Sequence, residues 1–250
     1  THVAYIRSGA LCVANISAGA NSAQEKVLAT DPLAHISWGM ADFIAAEEMG
    51  RQRGYWWAPD GEHLAVCRVD ESPVNTWFIA DPAHPEKPAT EHRYPAAGTA
   101  NAKVTLHIVH RETATKTAVD LPSSHEYLNS VAWNAAGLIV QVQTRDQKSV
   151  AIFSVEPTTA KVVEIFTDTD DAWVELVGGV PALASTGQLV TSVDREGSRR
   201  LYVDGSLVTP AHLQVRSVLH VGDSIVFQAN HIDSPWTLDV WRCDVATHNV

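Results

Sequence analysis

Cysteine is scarce in this chain: Cys12, Cys67 and Cys243 are its three, far apart and without a C-x-x-C spacing, so neither a zinc ribbon nor a dithiol redox motif is written here. An odd number cannot pair completely, and buried reduced thiols in a reducing, cytoplasmic setting are the expectation. The 12 histidines include no H-E-x-x-H, and His107 and His110 stand three apart in a run that reads as strand, on opposite faces. No metal and no cofactor is expected. Positive charge is short as well. Lys plus Arg number 18 against 29 Asp plus Glu, a formal net charge of −11, where binding to a phosphate backbone calls for the opposite balance. Nucleic acid is therefore not an expected partner. No apolar run approaches the roughly 18 residues that cross a bilayer, so no membrane partner is expected either. Finally, no G-x-S-x-G occurs, and the serine nucleophile that such an elbow carries is not written in these 250 residues.

What is present is β-structure. Short runs rich in β-branched and apolar residues, such as Val3–Ile6, Leu11–Ala14, Leu64–Cys67, Val104–Val109, Leu138–Val142, Val150–Phe153 and Ser224–Gln228, alternate with turn residues at Ser8-Gly9, Pro59-Asp60-Gly61, Asp204-Gly205 and Gly222-Asp223. A loose repeat orders them. Trp57-Ala-Pro-Asp-Gly61, Trp133-Asn-Ala-Ala-Gly137 and Leu183-Ala-Ser-Thr-Gly187 each put a large apolar residue four before a turn glycine, with an apolar strand after it. The spacing is uneven, and the long first interval holds a Pro-rich stretch, Asp81–Pro88, that reads as an insertion. A β-sandwich has no reason to repeat a strand-opening motif, whereas propeller blades do so at about 40 to 50 residues. The expected fold is all-β, a β-propeller.

One segment breaks the pattern. Ala41–Met49 is rich in helix formers, with Asp42 near its start and Gly50 and Gly54 beyond, and it predicts a short helix in an insertion over about residues 40–52. Glu47 and Glu48 are adjacent on it, about 100° apart in projection, with Phe43 and Ile44 expected to anchor the helix. Two carboxylates so arranged suit an ammonium group, whose three donors they accept as charge-assisted bonds. The plainer alternative pairs Glu47 with Arg51 at i+4 and leaves Glu48 solvated.

The setting of these acids resembles a known family. Gly39-Met-Ala-Asp-Phe-Ile-Ala-Ala-Glu-Glu48 followed by Gly54-Tyr-Trp-Trp-Ala-Pro-Asp-Gly61 resembles the double-glutamate helix and following blade of the dipeptidyl peptidase IV branch of the prolyl oligopeptidase family. Tyr94-Pro-Ala-Ala-Gly98 with Thr99–Val104, Arg145-Asp-Gln147, Trp173-Val-Glu175 and Ser192–Gly197 are similar to further elements in the family's order. Phe43 stands where the family has Trp, and Ala45 and Ala46 replace a Tyr and a polar residue. The resemblance implies that residues 1–250 are a partial β-propeller, about four to five blades of an eight-bladed ring, with the C-terminal α/β-hydrolase domain absent. It implies that Glu47 and Glu48 bind the free N-terminus of a peptide substrate, gating the release of dipeptides by a serine peptidase. The parent's hydrolase domain would be a partner, and uncovered terminal blades would favour a homodimer. The arginine that holds the substrate carbonyl in the family is assigned to no residue here. Two readings compete: a non-enzymatic interaction propeller, and a glycosidase, which would need acids facing each other across a pocket rather than adjacent ones.

Overall fold

The computed structural model describes residues 1–17 and 24–250, and these fall into two compact units, Thr1–Leu121 and Pro122–Val250. Apart from one short helix, the regular structure described is β-strand.

The first unit opens with an antiparallel three-stranded sheet of β1 (His2–Arg7), β2 (Ala10–Asn15) and β3 (Gln24–Ala29). A second sheet is built around β6 (His63–Asp70), which pairs along its full length with β9 (Lys103–His110), itself paired with β10 (Lys116–Ala118). Two three-residue strands, β4 (Ile36–Trp38) and β5 (Tyr55–Trp57), share the opposite side of β6, one on residues 68–70 and the other on 64–66. Together they act as a single edge strand interrupted by an excursion. The helix α1 (Phe43–Glu48) lies in that excursion. Between β6 and β9 the chain runs out into a separate hairpin, β7 (Thr76–Ile79) and β8 (Thr90–Arg93), with the expected Pro-rich insertion exposed at its tip. A core of Leu11, Val13, Leu28, Trp38, Leu64, Val66 and Val109 joins the two sheets.

In the second unit, strand order follows chain order. The first sheet holds β11 (Tyr127–Asn134), β12 (Gly137–Gln143), β13 (Ser149–Val155) and β14 (Val162–Thr169). The next holds β15 (Ala182–Leu183), β16 (Leu189–Arg195), β17 (Ser198–Val203) and β18 (Ser206–Leu207), and the last β19 (Leu213–Val221), β20 (Ser224–His231) and β21 (Ser234–Asp244). Leu201, Val203, Leu213, Val215, Ile225 and Phe227 form the core between these last two sheets.

The sequence repeat has a structural meaning. Gly61, Gly187 and Gly222 fall between the first and second strands of a sheet, at β5–β6, β15–β16 and β19–β20, and Gly137 opens the second strand at β11–β12. Consecutive antiparallel meanders, opened at the same point each time, are blades of a β-propeller. Five such sheets occur among the described residues, within the expected four to five. Inner strands such as β12, with Leu138, Ile139 and Val140 buried in succession, are covered on both faces, which is why they read as continuous apolar runs rather than alternating ones.

Candidate functional site

The excursion that carries the two acids is rooted in backbone. The Gly39 N–H donates to the Cys67 carbonyl at 2.8 Å, the Gly54 N–H to the Gly39 carbonyl at 2.9 Å, and the Cys67 N–H to the Gly54 carbonyl at 2.7 Å. An isolated bridge between Met40 and Arg53 closes the neck of the insertion. The neck is narrow. A Cβ on Gly54 would stand 2.1 Å from the Met40 carbonyl oxygen, a distance no side chain occupies.

Helix α1 has six residues, and Asp42 caps it: one carboxylate oxygen accepts the Ala45 N–H at 3.3 Å. At the other end the Ala45 carbonyl accepts the N–H groups of Met49 and Arg51, and the Gln52 side chain donates to the Ala46 carbonyl at 2.9 Å. The expectation that Phe43 and Ile44 anchor the helix is corrected. Ala45 is its buried residue, Ile44 is half-buried, and Phe43 is 41% exposed, set edge-on to Tyr94 with ring centroids 5.2 Å apart. The small side chain is the buried one, and the large one is left exposed beside Tyr94, which in turn meets Trp77 at 5.9 Å.

Glu47 and Glu48 are both exposed and occupy the last turn of α1, which holds no basic residue. The C-terminal end of a helix is the negative pole of its dipole, where an acid costs about 0.3–1 kcal/mol rather than stabilising. Adjacent acids repel as well. The local fold therefore gains from a cation brought to this end. Arg51, four residues after Glu47, is turned inward: it is buried, and its guanidinium reaches Asp42 at 3.1 Å, the Arg53 carbonyl at 3.0 Å and the Cys67 sulfur at 3.8 Å, with the Trp56 ring beneath it at 5.9 Å. The i, i+4 pairing of Glu47 with Arg51 thus gives way, among the described ion pairs, to Asp42. This pair was invisible to helix spacing, because nine residues separate its members and no periodic rule connects them.

The other motif residues make local pairs in loops and across strands. Arg145 pairs with Glu126 at 3.4 Å, the Trp173 indole donates to Glu175 at 3.2 Å, and Arg199 grips Asp194 through two bonds of 2.8 and 3.0 Å. His107 lies against Trp38 and His110 against His63, in different surroundings. All three cysteines are buried and unbridged. Among the described residues no group of three or more His, Cys, Asp or Glu is placed to hold a metal ion, and no helix is long and apolar enough to cross a membrane.

The blade sheets, with a helix inserted into one edge strand, define a β-propeller domain. Residues 1–250 match the family described as the dipeptidyl peptidase IV (DPP IV) N-terminal region, and the chain belongs to that family. The crystal structure of Porphyromonas gingivalis dipeptidyl peptidase 4 shares the fold, with a TM-score of 0.83 and 22% identity over 99% of this chain and 36% of that one. The probable dipeptidyl-aminopeptidase B of Coccidioides posadasii is 26% identical over 87% of this chain. The inactive dipeptidyl peptidase 10 of Rattus norvegicus is 28% identical over 64% of it. The chain spans 26% and 22% of the length of these two relatives.

Proposed function

We propose that this chain is the substrate-gating propeller portion of a dipeptidyl-peptidase-type serine peptidase, in which Glu47 and Glu48 bind the free N-terminus of a peptide. The observation that carries this reading is the pair itself: two adjacent exposed carboxylates at the negative end of a helix, with Arg51, four residues after Glu47, engaged by Asp42. An ammonium group placed between them donates two charge-assisted bonds to the carboxylates, and pinning it fixes how far the peptide advances. The hydrolase domain of a longer parent chain would supply the nucleophile. Measured from a fixed amine, cleavage then falls two residues in. The rat relative is named inactive, and a G-x-S-x-G with Asp and His in the parent decides between the peptidase and a pure interaction propeller.

The test uses the full-length parent and a dipeptidyl-proline chromogenic amide. Glu47→Ala and Glu48→Ala each remove a charge-assisted contact worth about 1.5–3 kcal/mol, which corresponds to about a ten- to hundredfold loss in kcat/KM. An N-acetylated substrate should fail with the unmutated enzyme for the same reason. Wild-type kinetics in both variants would refute the reading, and the 250-residue chain by itself is expected to show no turnover.

A further inference from the structure

The orientation of the two glutamates needs a cause that the helix does not supply. Six residues are too few to hold a helix together in water, and with Ala45 alone buried there is no apolar stripe to set the angle of α1 against the sheet. What ties it down is Asp42. One of its carboxylate oxygens caps the first turn through the Ala45 N–H at 3.3 Å, and the other accepts from the Arg51 guanidinium at 3.1 Å. Arg51 is in turn fixed to the sheet side by the Arg53 carbonyl, the Cys67 sulfur and the Trp56 ring. Its own N–H closes the far end of the helix on the Ala45 carbonyl at 3.0 Å. Asp42, just before the helix, and Arg51, beyond its Met49 C-cap, are therefore bolted to each other and to β6, and the segment that spans the bolt is the one bearing Glu47 and Glu48.

We propose that Asp42 and Arg51 are positioning residues for the amine-binding glutamates, a role that rests on the reading of Glu47 and Glu48 given above. The pair is 8% exposed at each member, so neither charge is held for the solvent. A buried pair of this kind adds little net stability compared with an apolar pair, but it fixes one geometry, because removing one partner leaves the other charge uncompensated. A surface cap would hold the first turn equally well through a serine. The arginine, and the burial, add the constraint on angle. Preorganised carboxylates bind an ammonium without first losing rotational and rocking freedom, so the clamp acts on binding of the substrate amine and not on the chemistry at the cleaved bond.

The experiment separates the cap from the clamp in the full-length parent. D42N keeps an efficient N-cap of the same shape and removes the charge, R51M keeps the aliphatic stem and removes the fork, and R51K keeps the charge without the fork. The double variant D42N/R51M leaves no lone buried charge and carries the test where R51M alone fails to fold. Each is assayed on a free-amine dipeptidyl amide and on p-nitrophenyl acetate, which brings no amine, and again in an E47Q/E48Q background. The expected result is a loss in kcat/KM of about tenfold for the amide in D42N, R51M and the double variant, expressed chiefly in KM, with R51K recovering part of it. Ester turnover stays at the wild-type level, and in the E47Q/E48Q background the same substitutions cause no further loss. Wild-type amide kinetics in D42N and D42N/R51M, equal losses on the ester, or full losses persisting without the glutamates would overturn the proposal. If E47Q/E48Q itself costs nothing, the amine-site reading fails first and the positioning role falls with it.

Discussion

Gly54→Ala tests the neck of the insertion directly, in the chain as it stands. The added Cβ would lie 2.1 Å from the Met40 carbonyl oxygen and 2.6 Å from its carbon, both backbone atoms that no rotamer change can move. Relief requires parting the two short edge strands from β6, and three backbone bonds lie in the way: Gly54 to Gly39 at 2.9 Å, Gly39 to Cys67 at 2.8 Å and Cys67 to Gly54 at 2.7 Å. At about 1 kcal/mol each their loss comes to about 3 kcal/mol. Gly61→Ala is the control. Its φ of +69° strains any side chain, but nothing lies within 4 Å of the new methyl, so the cost is the left-handed backbone alone, about 1–2 kcal/mol. Thermal and urea unfolding of the two variants, followed by tryptophan fluorescence, should show the larger destabilisation at Gly54, with each kcal/mol lowering Tm by about 2–4 °C in a chain of this size. Equal midpoints for the two variants would refute the reasoning, since the close approach at the neck would then carry no energy.

Three further outcomes are expected. Burial pushes the Cys67 thiol from its ordinary 9.0 up to about 11, so at pH 8 only about one thiol in a thousand is thiolate, and DTNB should label it only on unfolding; fast labelling in the native state would contradict its burial. By linkage, a thiol whose folded value is raised ionises first in the unfolded chain, so this group should lower stability as pH climbs from about 9 to about 11, a slope that Cys67→Ala would remove. On the last strand, β21, Trp236 is 82% exposed and Leu238 and Val240 follow on the same face, an apolar stripe on an unpaired edge. We expect the isolated chain to self-associate through it, with light scattering over a dilution series showing a dimer that Trp236→Glu abolishes; a monomer at high concentration with no binding of a hydrophobic dye would count against this.

Strands such as β6 and β12 were legible in the sequence because they are covered on both faces and so appear as continuous apolar runs. The repeat of a large apolar residue four before a glycine was legible for a related reason: each sheet turns from its first to its second strand with the same local chemistry, which needs no distant partner. The helix over Ala41–Met49, its cap at Asp42 and the adjacency of Glu47 and Glu48 are likewise local facts, set by propensity and by a bond spanning three residues. The choice of partner for Arg51 was not local. Helix spacing offered Glu47, but the guanidinium is buried against Trp56 and Cys67, which reach it through the return of the chain into β5 and β6. The anchor of the helix was decided the same way. Phe43 is the more apolar residue, yet it is Ala45 that the fold buries, while Phe43 is left exposed beside Tyr94. Propensity and turn chemistry act over a few residues and can be read along the chain. Burial and charge pairing depend on what the sheet brings alongside, and that is settled only once the strands have found their order.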